Sequence, residues 1–294
     1  MTNHEEYRQI QERFEGASSL PQLPKSPLAL SKMLESADSS PREIEVLILS
    51  DPALTAGLLR VASSAFHGRS KPVTTVRESI LVLGFRALRS MAIALWTQAL
   101  IVEASKRSFF DSKRFTKNGS FVGFLSSALY THSTNERQPM DWVPEEVYAG
   151  GVLQNIPFGL LAVLHPRAFN AVYVLAKENN WSLEQGFRSR YSVELAELAP
   201  AAAKSLGLPE LFEIVISNAH NPEGAMDHFR PMACLHYART MADARQFGLQ
   251  RWAVEFAVSG AVLEEIDVPQ DVVDQMIDEA RRHVVLYCPA SSVA

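Results

Sequence analysis

The side chains best suited to metal or nucleophilic chemistry in this chain are its eight histidines and two cysteines. His220, His228 and His236 lie close together in sequence, with Glu223 and Asp227 among them, and imidazole with carboxylate is a donor set that can hold a divalent ion and activate water. Eight positions separate His228 from His236. On a helix that is two turns, or ~12 Å, too far for both to ligate one ion. The HExxH arrangement, which sets two imidazoles one turn apart beside a carboxylate base, does not occur. These histidines, and His132 and His165 with them, therefore read as surface or internally satisfied groups. Cys234 and His236 are two residues apart, a spacing that turns them to different helix faces, so Cys234 is expected to be a buried structural thiol. Cys234 and Cys288 form no CxxC pair, which speaks against a disulfide framework and a thiolate zinc site and fits a reducing cytoplasm. GxSxG, P-loop and GxGxxG patterns are also missing, so neither a nucleophile elbow nor a phosphate cradle is expected.

Charge is distributed unevenly. Between Pro52 and Leu100 the charged residues are Arg60, Arg69, Lys71, Arg77, Arg86 and Arg89 against Glu78 alone, whereas Val254 to Ala280 carries eight acids and no base. Such poles can meet each other or face an anionic partner, and the plain alternative is two solvated surfaces, since exposed ion pairs contribute only ~0–1 kcal/mol. Arg86 and Arg89 lie three apart and would present a clamp for a carboxylate or phosphate, with Arg60 nearby in sequence. Phe66-His67-Gly68 reads as a helix end closed by glycine, and Phe66 and His67 are further candidates for a binding surface. The net charge of -5 argues against a surface built for nucleic acid.

The elements that must position these groups are helical. Ser40-Pro41-Arg42-Glu43 joins an N-cap hydroxyl, a proline at the first helical position and a glutamate that reaches back. Thr75 to Glu78, Ser182 to Gln185 and Asp267 to Gln270 repeat that logic, and Asp51-Pro52 is a simpler start. Apolar residues recur at helical spacing from Leu54 to Ala62 and from Ile80 to Ala92, and no hairpin signal separates two alternating runs. An all-α chain results, with 47% hydrophobic residues to fill its core. Loops are expected at Thr134 to Asp141 and at Asn221 to Ala225. A division is expected near Arg107 to Arg114, and Asn3 to Glu15 reads as a polar, mobile helix at the front. The N-terminus lacks the basic start and apolar core of a signal peptide, and Arg86 and Arg89 break up apolar stretches that already fall short of the ~20 residues a span requires. A soluble, cytoplasmic protein with no membrane partner is expected.

Four stretches resemble one family. Leu20-Pro-Gln-Leu-Pro-Lys-Ser-Pro27 is similar to the proline-spaced opening of HDOD domains, and Asp51 to Gly68 to their most recognisable segment. Val73 to Gly84 and Arg86 to Ser90 are similar to the helix, glycine turn and helix that follow. A thinner likeness continues through Gly151 to Ile156, Leu206 to Glu210 and Asn218 to Pro222. The resemblance implies a multi-helix fold in which an N-terminal helical half packs on a C-terminal half related to the HD phosphohydrolases. The division implied is 1–18 as the front helix, 19–110 as the first half and 111–294 as the second. It also implies a regulatory part in bacterial signal transduction.

HD phosphohydrolases hold metal with a histidine, a His-Asp pair and a distant aspartate. By the resemblance those places hold Asn118, then Gln154 and Asn155, then Arg239, and no His-Asp dipeptide occurs anywhere in the chain. The centre is therefore expected to bind no metal, to need no cofactor and to have no catalytic residues. Function is expected to pass through a regulatory protein partner. The alternatives are a residual phosphohydrolase or cyclic-dinucleotide phosphodiesterase with rearranged ligands, and a sensor that binds a nucleotide second messenger without hydrolysing it.

Overall fold

In the computed structural model residues 2–16, 33, 40–62, 73–104, 108–133, 142–250, 252 and 257–287 are described. No strand occurs among them. Helix α1 spans Asn3–Glu15, α2 Pro41–Leu49, α3 Pro52–Ala62 and α4 Val76–Ala104. Helix α5 follows at Ser112–His132, α6 at Pro144–Leu153, α7 at Ile156–Leu164, α8 at Pro166–Asn179 and α9 at Leu183–Tyr191. After a 3-10 turn at Leu195–Leu198 come α10, Ala199–Ser205, and α11, Glu210–Asn218. A second 3-10 segment at Pro222–His228 leads into α12, Phe229–Ala244, then α13, Gly260–Ile266, and α14, Gln270–Tyr287.

The cap chemistry places most of these starts. Ser40 Oγ accepts from the Glu43 N–H at 3.3 Å while Glu43 Oε2 accepts from the Ser40 N–H at 3.0 Å, closing the reciprocal box. Ser182 caps α9 in the same way, and Thr75 Oγ1 accepts from the Glu78 N–H at the start of α4. Asp51 Oδ1 accepts from the Leu54 N–H at 3.0 Å, and its other oxygen accepts from Trp96 Nε1 at 2.7 Å, so one carboxylate starts α3 and ties it to α4. The start expected at Asp267 is not used. Asp267 instead ends α13 in the left-handed conformation, φ 43°, and α14 begins at Gln270 after Pro269. An aspartate tolerates that conformation better than most residues. Gly84, at φ 72° and ψ 168°, breaks α4 into the two helices that its sequence anticipates.

The core is built on the pair α5 and α6, with α12 and α14 packed on α5 and the long α4 laid against α6. Glycines set the approach. A Cβ on Gly151 would stand 2.5 Å from the Cα and N of Gly123, and one on Gly119 would stand 3.2 Å from Val152 backbone atoms, so the two helices touch main chain to main chain. The sequence from Pro144 to Leu164 is long and apolar enough to cross a membrane, as is Val76 to Val102. The first is two helices buried in this core, and the second packs against α3, α6 and α7. The first lies almost wholly in the core, whereas only about half of the second, 56%, is buried.

Helix α1 is not a loose polar appendage. Tyr7, Ile10 and Phe14 form a buried stripe, and α1 packs on α7, α9 and α10. Glu6 Oε2 accepts from Arg190 Nη2 at 2.7 Å and from the Tyr191 hydroxyl at 3.0 Å, and Arg13 Nη1 donates to the Leu164 carbonyl at 2.8 Å. The polar residues that make the segment look mobile in sequence are the ones that dock it.

Candidate functional site: an amide centre beside a charge-balanced cavity

Because α5 and α6 approach so closely, Asn118 on α5 meets Gln154 and Asn155 at the end of α6. All three are buried. Their orientation follows from one backbone group. The Phe247 carbonyl accepts from Asn118 Nδ2 at 2.9 Å, which turns Asn118 Oδ1 toward α6. That oxygen accepts from Asn155 Nδ2 at 2.8 Å and, more weakly, from Gln154 Nε2 at 3.4 Å. Both amide nitrogens therefore face Asn118, and Gln154 Oε1 and Asn155 Oδ1 are left buried with no hydrogen-bond partner. Phe247 is held for this purpose by stacking on Phe121, ring centroids 4.8 Å apart and nearly parallel at 13°.

Gln154 also lines a cavity of about 390 Å³ whose wall includes Phe158, Glu184, Ile216, His220, His236 and Arg239. Arg239 Nη2 donates to Glu184 Oε1 at 2.8 Å, and His220 Nδ1 lies 3.5 Å from the same oxygen. Burial alone would raise the Glu184 carboxyl, but Arg239 and then His220 bring it below the ordinary glutamate range. His220 goes the other way: burial, reinforced by Arg239, pushes its ring down to about 3, so it is neutral at physiological pH. Burial and Arg239 also lower His236. One helical turn beyond Arg239, burial raises the Asp243 carboxyl to about 6, although it accepts from Gln250 Nε2 at 3.0 Å. At the cavity rim Arg188 Nη1 donates to Glu194 Oε1 at 2.9 Å.

The four positions singled out from the sequence are thus brought together, Asn118, Gln154 and Asn155 by hydrogen bonds and Arg239 across the shared cavity. Glu184, which pairs with Arg239, was not anticipated. It sits inside the Ser182 to Gln185 capping box, and a glutamate in a first helical turn reads as complementing the helix dipole. His228 is elsewhere, with its ring 5.7 Å from that of Trp142. Cys234 is a buried free thiol, and burial pushes it up to about 12. Of the proposed binding surface, Arg86 is committed to a bidentate pair, its Nε and Nη2 donating to Glu146 at 2.7 and 2.8 Å. Glu146 belongs to α6 and not to the acidic C-terminal run. Arg89 is partly buried one turn further on. The side chain of Arg60, and Phe66 and His67 entirely, lie outside the described residues.

The residues present do not fit a divalent metal. Amide oxygens carry no formal charge, the network offers no carboxylate, and the group across the cavity is a guanidinium. Glu184, a carboxylate in the cavity wall, is already matched by Arg239. Among the described residues no cluster of three or more His, Cys, Asp or Glu is arranged to hold an ion.

An all-helical body with a buried amide network beside a cavity defines a class, and comparison with known proteins supplies the family. The HDOD domain profile matches residues 20–222. The chain belongs to the HDOD domain family. Its backbone is similar to an HDOD domain protein of unknown function from Geobacter sulfurreducens, with a TM-score of 0.69 at 18% identity over 94% of each chain. It is also similar to a candidate signal transduction protein from Marinobacter aquaeolei VT8, with a TM-score of 0.67 at 19% identity over 97% of this chain and 65% of that one. A candidate phosphohydrolase from Shewanella amazonensis SB2B gives a TM-score of 0.63 at 20% identity over 92% and 94%. By sequence, an uncharacterized protein of Treponema pallidum (strain Nichols) is 23% identical over 214 residues, 72% of this chain. The chain spans about two fifths of that relative's length, the match covering 40% of it.

Proposed function

We propose that this chain is a non-catalytic regulatory module of the bacterial cytoplasm that acts through contacts with a protein partner. The observation that carries the reading is the Asn118–Gln154–Asn155 network, in which neutral amides satisfy one another where a hydrolase would need anionic and imidazole ligands. Arg239 adds a fixed positive charge beside it. The similarity to a candidate signal transduction protein supports the regulatory part of the reading. A contact surface is available on α4, where Leu81 is 79% exposed and Phe85 42%.

The test has two arms. Purified full-length chain, exchanged into manganese or magnesium and desalted, is expected to retain far less than one ion per chain and to hydrolyse neither bis(p-nitrophenyl) phosphate nor a cyclic dinucleotide. A stoichiometric ion with turnover that is lost in His220→Ala would replace this reading with that of a rearranged phosphohydrolase. In the second arm, a protein captured by the wild-type chain should be lost from Leu81→Asp/Phe85→Asp while the variant keeps its helicity. Capture that is indifferent to both substitutions argues against α4 as the contact.

A further inference from the structure

Two surfaces of this chain are open, alike in apolar character and opposite in charge. The first is a groove of about 540 Å³ between α12, the end of α13 and the start of α14. Leu263, Ile266, Val268, Pro269 and Val273 make most of its lining, and Leu263 is 51% exposed. The polar part of the lining is Tyr237, Asp267 and Gln270, with no cation. Glu264, Asp271 and Asp274 are exposed, and each is next in sequence to a lining residue. Among the described residues none of these three is paired with a base. The ion pairs that α14 does make, Asp278 with Arg281 and Glu279 with Arg282, lie further along the helix. The groove is thus apolar inside and uncompensated in negative charge around it. The second surface is on α4. Arg77 and Leu81 are one turn apart and share a face, Leu81 is 79% exposed, and Phe85 follows the Gly84 break at 42%. Arg77 is exposed and has no carboxylate partner among the described residues, whereas Glu78 beside it is partly buried. Groove and face stand open in the same structure, so they do not cover each other within one chain.

We propose that the α4 face of one copy docks in the α13–α14 groove of a second copy, with Leu81 entering the groove and Arg77 meeting Asp271 and Asp274. Charge complementarity selects this occupant: the groove offers apolar contact ringed by acids, and the chain itself carries an exposed leucine one turn from an exposed arginine. Covering Leu81 and Leu263 removes apolar surface from water on both sides, and the acids supply register and a salt-sensitive attraction. The two patches differ, so the contact is heterologous. Each junction leaves a free face at one end and a free groove at the other, and copies add head to tail unless a ring closes. One helix face against one groove belongs with the small interfaces, below ~1,200 Å², so the association is reversible and grows with concentration. The inference deepens the reading of the protein as a contact module by naming a partner for the α4 face, and it rests on that reading only in taking function to pass through protein contacts. A different protein that binds α4 then has to displace a copy.

The purified full-length chain is followed by sedimentation velocity and light scattering from micromolar to millimolar concentration, at about 0.05 and 0.5 M salt, the higher value shortening the screening length to a few ångströms. Average mass should rise with concentration, and salt should weaken the rise. Leu81→Asp puts a charge where the apolar anchor stood, and Asp271→Lys/Asp274→Lys reverses the charge around the groove. Each variant should need at least about tenfold higher concentration to associate. The decisive sample is their mixture, at a concentration where neither associates alone. The first variant keeps its groove and the second its α4 face, so one junction forms, and the mass should rise to that of a 1:1 pair and no further. Circular dichroism checks that each variant folds, and Arg77→Glu gives a second readout of the α4 face should Leu81→Asp not fold. A wild-type chain that stays monomeric throughout, association indifferent to either set of substitutions, or a mixture that stays monomeric would overturn the proposal. These measurements contain no other protein, so their failure leaves the capture of a different partner standing, and failure of that capture leaves self-association standing.

Discussion

Gly151→Ala tests the approach of α5 to α6 on which the centre depends. A Cβ at this position would stand 2.5 Å from Gly123 Cα and N and 2.8 Å from the Val122 carbonyl carbon, all backbone atoms that cannot rotate away. Non-bonded carbons normally settle at about 3.5–4.0 Å, so α6 has to retreat by roughly 1 Å. Such overpacking costs about 1–3 kcal/mol. The same retreat stretches the 2.8 Å bond from Asn155 to Asn118 beyond useful length and strands buried amide groups, adding about 1–3 kcal/mol. Alanine recovers about 1 kcal/mol of helix propensity over glycine, which leaves a net loss of about 1–5 kcal/mol. At about 2–4 °C per kcal/mol, the melting temperature should fall by roughly 6–12 °C for the middle of that range, about 3 kcal/mol. Gly150→Ala is the internal control. Its Cβ meets only side-chain methyls, Val215 Cγ2 at 3.0 Å being the nearest, and these can shift. Calorimetric scans of the two variants should therefore separate adjacent glycines, with Gly150→Ala within about 1 kcal/mol of wild type. Equal stability of the two variants would refute the claim that main-chain contact holds the centre together.

Two other perturbations read different parts of the molecule. Glu146→Gln should cost about 1–3 kcal/mol in urea unfolding, because this carboxylate accepts two bonds from Arg86 and one from the Val143 N–H, and a double-mutant cycle with Arg86→Met should show coupling of about 1–2 kcal/mol, where a coupling near zero would mean a merely solvated pair. Asp243 has a folded carboxyl raised to about 6, above an unfolded value of about 3.9, so the folded state binds the extra proton and stability falls as pH rises through that window. Asp243→Asn should match wild type near pH 4 and exceed it above pH 6 by on the order of 1–3 kcal/mol, the remaining solvent contact being the reason for the lower end. A stability difference independent of pH would show that the carboxyl is not raised.

Much of the helical plan is legible from caps, because a hydroxyl or carboxylate three residues ahead of an N–H is a local geometry that needs nothing from elsewhere; Ser40, Asp51, Thr75 and Ser182 all act this way. Asp267 does not mark the start of α14 because it closes the preceding helix, α13, in the left-handed conformation, and α14 begins only at Gln270. Helix α1 was undervalued because its charged residues outnumber its apolar ones, although Tyr7, Ile10 and Phe14 already stand three and four apart. The close approach of α5 to α6 has a signal too, in Gly119 and Gly123 one turn apart and the Gly150-Gly151 pair. Glu184 had none. Its pairing with Arg239 joins residues 55 apart in sequence, and neither carries a local mark of the other.

The docking of α1 ties the front of the sequence to helices that come much later in it. α1 packs on α7, α9 and α10, whereas α2 and α3 pack on α4, which in turn lies along α6. Glu6 and Arg13 fasten α1 to Arg190, Tyr191 and the Leu164 carbonyl, more than 150 positions further on. Amide exchange along α1 should therefore follow the opening of α7, α9 and α10 and not the rapid fraying of an unattached segment.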